Sequence, residues 1–109
     1  MKFSGAADSS GPVAFVVTST NNAKYSVIGH QAGLVRLVNI ECLKVDVSFK
    51  LVLHPDDELL TAGVFNPNGV NIAIGTSIGN IYLGSIREDA QGRPKIMFCK
   101  LDVHQVVLG

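Results

Sequence analysis

Ile28-Gly29-His30-Gln31-Ala32-Gly33-Leu34-Val35-Arg36-Leu37-Val38-Asn39-Ile40 has a counterpart 46 residues on, Ile74-Gly75-Thr76-Ser77-Ile78-Gly79-Asn80-Ile81-Tyr82-Leu83-Gly84-Ser85-Ile86. Ile, Gly, Gly, Leu and Ile recur at matched places, and Val35 is matched by Ile81. Each copy reads as a strand, a glycine, a tight turn closed by a second glycine, and another strand. Glycine in such a turn supplies the left-handed backbone that a short hairpin needs. Apolar residues two apart in the second strand share one face.

The same pattern continues on both sides of the repeat. Short β-branched or aliphatic runs lie at 13–18, 25–28, 34–40, 47–53, 59–65, 70–74, 80–86 and 95–101. Turn formers separate them: polar residues at 20–22, Asn66-Pro67-Asn68-Gly69, and Gln91-Gly92-Arg93-Pro94 closing a charged loop that starts near Arg87. No long window has apolar residues at helical spacing, and the one rival to strand is a short helix over 56–62 capped by Asp56. Four strands per unit and a period in the forties match the arithmetic of a propeller blade. The expected fold is all-β, with two four-stranded antiparallel blades. The expected division is a flexible segment at 1–11, a first blade at 12–54, a second at 55–101, and a further strand or tail at 102–109.

Composition narrows the function classes. Nine basic residues balance nine acidic ones, and 47% of the 109 residues are hydrophobic. Such a chain can pack a core, and it lacks the broad positive field that grips nucleic acid or an anionic membrane. No apolar run approaches the length of a transmembrane helix. The two cysteines, Cys42 and Cys99, read as buried thiols of a reducing compartment. The expected location is therefore cytoplasmic, with no nucleic acid, no membrane insertion and no cofactor. His30 reads as an exposed turn residue. Tyr82, projecting opposite to Ile81 and Leu83, reads as a candidate for an interaction surface.

Gly63-Val64-Phe65-Asn66-Pro67-Asn68-Gly69 resembles the first strand and following turn of the WD-repeat family. Ile72-Ala73-Ile74-Gly75-Thr76-Ser77-Ile78-Gly79-Asn80-Ile81-Tyr82-Leu83 resembles its second and third strands. The resemblance implies a partial β-propeller that works as a non-catalytic protein-interaction scaffold. The repeats are similar to the degenerate repeats of large ciliary and flagellar WD-repeat scaffolds, which implies a cilium or the cytoskeleton as a further location. The Trp-Asp pair that names the family is replaced by Val38-Asn39 and Gly84-Ser85. The family's polar network therefore does not transfer, and stability is expected from sheet packing alone. Two blades do not close a ring, so the chain is expected to be a piece of a longer protein or to be completed by other chains. Its partners would be other proteins or further blades. Candidate interaction loops are His54, Asp56, Asp57 and Glu58, together with Arg87, Glu88, Asp89 and Arg93.

His54-Pro55-Asp56-Asp57-Glu58 also resembles the zinc motif of LmbE-like and PIG-L-like sugar de-N-acetylases. That resemblance implies His54 and Asp57 as zinc ligands and Asp56 as the base for a metal-bound water. The alternative function is thus a truncated zinc-dependent de-N-acetylase-like hydrolase. The third ligand of that family has no match here, because His104 sits in Leu-Asp-Val-His-Gln. Gly75-Thr76-Ser77-Ile78-Gly79 joins two strands and lacks the helix N-terminus that a phosphate cradle needs. A small closed barrel around an apolar ligand is a third option.

Overall fold

A computed structural model of the chain describes residues 11–18, 24–54, 57–67 and 69–101. The segment before residue 11, the turn at 20–22, Asp56 and the tail at 102–109 with His104 lie outside them. The described residues form eight strands, in order: β1 (Val13–Thr18), β2 (Tyr25–His30), β3 (Leu34–Asn39), β4 (Lys44–Lys50), β5 (Leu60–Phe65), β6 (Asn71–Thr76), β7 (Ile81–Glu88) and β8 (Pro94–Leu101). They form two four-stranded antiparallel sheets, ordered β1-β2-β3-β4 and β5-β6-β7-β8. Neither sheet closes on itself, which removes the barrel, and the described residues hold no helix. The 56–62 helix fails because Leu60, Thr61 and Ala62 already belong to β5.

Turn chemistry sets the hairpins. The His30 carbonyl accepts from Gly33 N–H at 2.9 Å, and the Thr76 carbonyl from Gly79 N–H at 3.1 Å, so the repeated glycines close equivalent turns. Both sheets also carry a register shift in their first strand pair, between Val13 and Phe15 and between Leu60 and Ala62. The repeat is thus present in the strand pairing as well as in the residues.

The sheets stack, with β1 against β5 and β4 against β8. Val27, Val35 and Leu37 of the first sheet and Ile74 of the second are 0% exposed. Burying each such side chain contributes about 1.5–3 kcal/mol. Phe15 is the wedge of the joint. Its ring occupies the space where a Cβ would stand at Gly29 of its own sheet, and a Cβ at Gly63 would come within 2.6 Å of it. Farther out, the Phe49 and Phe98 rings meet across the joint with centroids 5.3 Å apart at 50°.

Directly opposed residues in an antiparallel pair share a face. The inward face of the first sheet therefore carries Phe15, Val27, Gly29, Val35, Leu37 and Phe49. The inward face of the second carries Gly63, Ile72, Ile74, Tyr82, Gly84 and Phe98. A shift of 46 residues does not superpose these two sets. It carries Val35 and Leu37 onto Ile81 and Leu83, which lie on the outward face of the second sheet. The sheets are stacked front on back, like successive members of one series.

Several expectations are corrected at this level. Tyr82 does project opposite to Ile81 and Leu83, but it is the buried partner, 7% exposed, with its hydroxyl donating to the Val52 carbonyl. Burial, and then the nearby Glu58 charge, hold its pKa above the ordinary phenol value. His30 is buried at the end of β2, with Nδ1 2.9 Å from the Gly11 carbonyl oxygen. Cys42 and Cys99 are both exposed and unpaired as disulfides. Cys42 lies in the β3–β4 turn, and Cys99 lies opposite Leu83 on the outward face of the second sheet.

Candidate functional site

The linker between the sheets, residues 51–59, is fastened to the turns at both of its flanks. Leu51 N–H donates to the Gly33 carbonyl and Leu60 N–H to the Gln31 carbonyl, both at 2.9 Å. On the other flank, Ser77 N–H donates to the Leu59 carbonyl, and Leu59 N–H donates to Ser77 Oγ at 3.0 Å. The β2–β3 turn, the linker and the β6–β7 turn therefore form one continuous end of the molecule.

Glu58 ties this end together. Its carboxylate accepts from His54 N–H at 2.9 Å, Thr76 Oγ1 at 2.8 Å and Asn80 Nδ2 at 2.7 Å. Thr76 Oγ1 accepts in turn from Asn80 N–H at 3.2 Å. Glu58 is only 6% exposed. Burial pushes its carboxyl pKa up, but the bonds from His54, Asn80 and Thr76 outweigh burial and hold it below the ordinary carboxylate value. Charge-assisted bonds of this kind are about twice as strong as neutral ones. Stability is therefore not left to sheet packing alone. A buried polar network is present, built from a Glu, a Thr and an Asn. It sits at the ends of the strands, away from the positions where the Trp-Asp pair would stand. Glu58 is consequently a structural anchor, with both carboxylate oxygens taken up by bonds within the chain.

His54 and Asp57 are the outward members of this segment. Their side chains are 62% and 63% exposed and pair with each other, Nδ1 to Oδ1, at 2.5 Å. Beside them a shallow depression of about 360 Å³ is lined by Ala32, Lys50, Val52, Leu53 and Leu59, among others. Val52 is 88% exposed and Leu59 45%. The sequence pattern assigned both to strands, but β4 ends at Lys50 and β5 starts at Leu60, which releases them to the surface. Lys50 Nζ donates to the Ala32 carbonyl at 2.9 Å. The end of the molecule thus combines an apolar floor with a mixed-charge rim.

The second candidate group lies elsewhere. β7 separates the two ends, and its 8 residues span on the order of 23 Å. Arg87 and Glu88 belong to this strand rather than to a loop, and the turn itself is 89–93. Glu88 reaches back across the joint. It accepts from Lys24 Nζ at 2.5 Å and from Tyr25 Oη at 3.1 Å. The Lys24 ammonium, with help from Tyr25, holds the Glu88 carboxyl below its ordinary pKa, and Glu88 raises that of Lys24. Both groups are well exposed, so screening by water leaves the pair a small share of stability.

Asp89 organises its own turn, accepting from Arg93 N–H and Gln91 N–H at 2.9 Å and from Arg93 Nε at 3.1 Å. These bonds, that from the Arg93 backbone foremost, hold its carboxyl below the ordinary value. Arg87 is exposed, and Arg93 is exposed while paired with Asp89. The eight residues singled out from sequence therefore divide into two surfaces at opposite ends, with Glu58, Glu88 and Asp89 committed to internal contacts and Asp56 outside the described residues.

Among the described residues no three His, Cys, Asp or Glu side chains gather as a metal site. The two residues assigned as zinc ligands by resemblance, His54 and Asp57, are bonded to each other on the surface. No protein-family model, curated protein or solved structure matches the chain.

Proposed function

We propose that the two sheets are blades of a WD-repeat-type propeller, and that the chain serves as a non-catalytic protein-interaction scaffold within a larger protein or assembly. The observation that carries this reading is the serial stack: two sheets of identical strand order, related by a 46-residue step and packed front on back. A serial stack buries each sheet against its neighbour and leaves the strand ends free to present turns. The docking end is the linker surface, where Val52 and Leu59 supply apolar area and His54, Asp57 and Lys50 supply the polar rim. Interfaces commonly combine an apolar centre with such a rim.

The test is affinity capture of a protein partner with the wild-type chain and two double variants of matched fold by circular dichroism. His54→Ala/Asp57→Ala is expected to weaken capture at least tenfold, while Arg87→Ala/Arg93→Ala at the far end leaves it within twofold. Equal loss in both variants would move the docking surface away from the linker. Stoichiometric zinc that disappears in His54→Ala, together with hydrolysis of an N-acetylated sugar, would overturn the scaffold in favour of the hydrolase.

A further inference from the structure

The two units differ in length at the tip of their last hairpin. The step between them is 46 residues at Val35 and Ile81, and it grows to 52 at their strand partners Phe49 and Leu101, so the β7–β8 hairpin is six residues longer than the β3–β4 hairpin. Arg87 corresponds to Glu41, which already lies in the β3–β4 turn. In the second unit Arg87 still pairs with Lys95, and Glu88 with Pro94. The tip therefore extends past the frame that the two sheets share. In repeat proteins such insertions commonly lie on a binding face.

The acids of this tip are committed within the chain. Glu88 accepts from Lys24 and Tyr25 of the first sheet, and Asp89 from the Gln91 and Arg93 backbone and from Arg93 Nε. Against these two carboxylates stand Lys24, Arg87, Arg93 and Lys95, a local positive excess in a chain whose net charge is zero. Arg87 and Lys95 lie directly opposite each other on the outward face, and both are exposed. Like charges so placed destabilise a strand pair. Among the described residues neither side chain makes a hydrogen bond or ion pair, and Lys95 acts on Asp89 only through its field. Arg93 is fixed by Asp89 and by Gln91 Oε1, yet its side chain is 74% exposed. The turn is already formed, with Asp89 N–H donating to the Arg93 carbonyl and Gly92 N–H to the Asp89 carbonyl, both at 2.9 Å. A shallow furrow of about 580 Å³ runs past Asp89, Arg93, Pro94 and Lys95.

We propose that the tip of the β7–β8 hairpin binds an acidic peptide segment of a partner protein, whose carboxylates are received by Arg87, Lys95 and the outer edge of Arg93. The chain holds a precedent at the same end of the molecule, where Lys24 and Tyr25 receive the Glu88 carboxylate of the neighbouring sheet. A carboxylate between Arg87 and Lys95 offsets their mutual repulsion, and each bond it accepts is charge-assisted. A nucleic acid would need several phosphates neutralised along its backbone. The tip offers only Arg87, Arg93 and Lys95, beside the Asp89 carboxylate. The site lies at the other end of β7 from the linker surface and does not depend on the blade reading.

The test is fluorescence anisotropy of a labelled oligoglutamate peptide titrated with the full chain. Oligoglutamine and a single-stranded oligonucleotide serve as alternative probes, and phosphatidylserine vesicles are assayed by co-sedimentation. Oligoglutamate is expected to bind, with affinity falling as salt rises, and oligoglutamine is not. Arg87→Ala/Lys95→Ala should weaken oligoglutamate binding by about tenfold. His54→Ala/Asp57→Ala should leave it unchanged. Arg87→Glu/Lys95→Glu should lose oligoglutamate and gain oligolysine, a reversal that misfolding would not produce.

Three results would overturn the acidic segment as ligand: oligoglutamate binding no tighter than oligoglutamine, binding unchanged in Arg87→Ala/Lys95→Ala, or tighter binding of the oligonucleotide or the vesicles. Any of them would leave the linker surface in place, because His54→Ala/Asp57→Ala tests that surface alone.

Discussion

The two sheets share strand order, the register shift of the first strand pair and the glycine-closed middle turn, yet they bury opposite faces of one repeated pattern. In the first sheet Val35 and Leu37 are core. In the second their counterparts Ile81 and Leu83 face outward, while Tyr82 and Gly84 fill the joint. Residue-level similarity between repeats therefore does not transfer burial. The position of a sheet in the stack decides which side is covered, and a repeat in a series needs both sides able to pack.

The largest effect that probes this difference is a paired truncation. Leu37→Ala should cost about 2–5 kcal/mol, the usual range for a buried leucine. Leu83→Ala, at the matched place but 41% exposed, should cost less than about 1 kcal/mol in dilute solution. Urea unfolding of both variants at low protein concentration measures the gap. Equal losses would mean that both faces are covered even in the lone chain.

Next in size is Glu58→Gln, which keeps the shape and removes the charge. Loss of charge-assisted bonds at a buried site should cost about 1–3 kcal/mol near neutral pH. The sign of the pH dependence follows from the lowered carboxyl pKa. Glu58 stabilises the fold above its ordinary value near 4.5, and that contribution disappears as pH falls through the lowered value. The wild type should thus lose its advantage over Glu58→Gln on acidification, as read from denaturation midpoints across that range. A constant difference would detach the network from this carboxylate.

The repeated turn glycines offer a finer comparison. Gly33 and Gly79 have φ of 110° and 89°. Alanine at either place should cost about 1–2 kcal/mol from backbone strain. Gly33→Ala should cost more, because its Cβ would also stand 2.7 Å from the Leu51 carbonyl oxygen, whereas nothing approaches Gly79 within 4 Å. Thermal unfolding of the pair ranks them, and a larger loss at Gly79 would contradict the packing argument.

The smallest effect is a gain. Leu43 has φ 57° and is 70% exposed in the β3–β4 turn, whereas the β7–β8 turn places Gly92 at φ 78°. Leu43→Gly should relieve strain and stabilise the protein by at most about 1 kcal/mol, after the larger backbone entropy of glycine is offset. A lowered melting temperature would show that the leucine side chain contributes more than its strain costs.

Strand positions were legible because β-branched runs and turn residues alternate sharply. β1 spans the residues read from sequence, and the other strands differ only at their ends. The choice of buried face in the second sheet was not legible. Alternation identifies a core only when one face is polar, and here Ile72, Ile74 and Tyr82 compete with Ala73, Ile81 and Leu83 on equal terms. The same ambiguity exposed Cys99 and buried Tyr82. The two candidate loops were legible as polar segments. Their separation to opposite ends, and the inward turn of Glu58, depend on which hairpin end each loop caps and on Thr76 and Asn80 lying across from the linker. Those relations arise only when strands are paired.

Among the described residues, every hydrogen-bonded strand pair joins neighbours in the chain. On the ribosome, the first sheet can therefore assemble as soon as β4 emerges, without waiting for distant sequence. Its core-forming face, however, is covered by strands encoded afterwards. At about 5–20 residues per second, the stretch from Leu51 to Leu101 takes roughly 3–10 s to synthesise. For that interval Val35, Leu37 and Phe49 are bare to any neighbouring nascent chain. The serial stack that makes hairpin formation local thus sets a window, at each round of translation, in which contact with another polypeptide competes with completion of the fold.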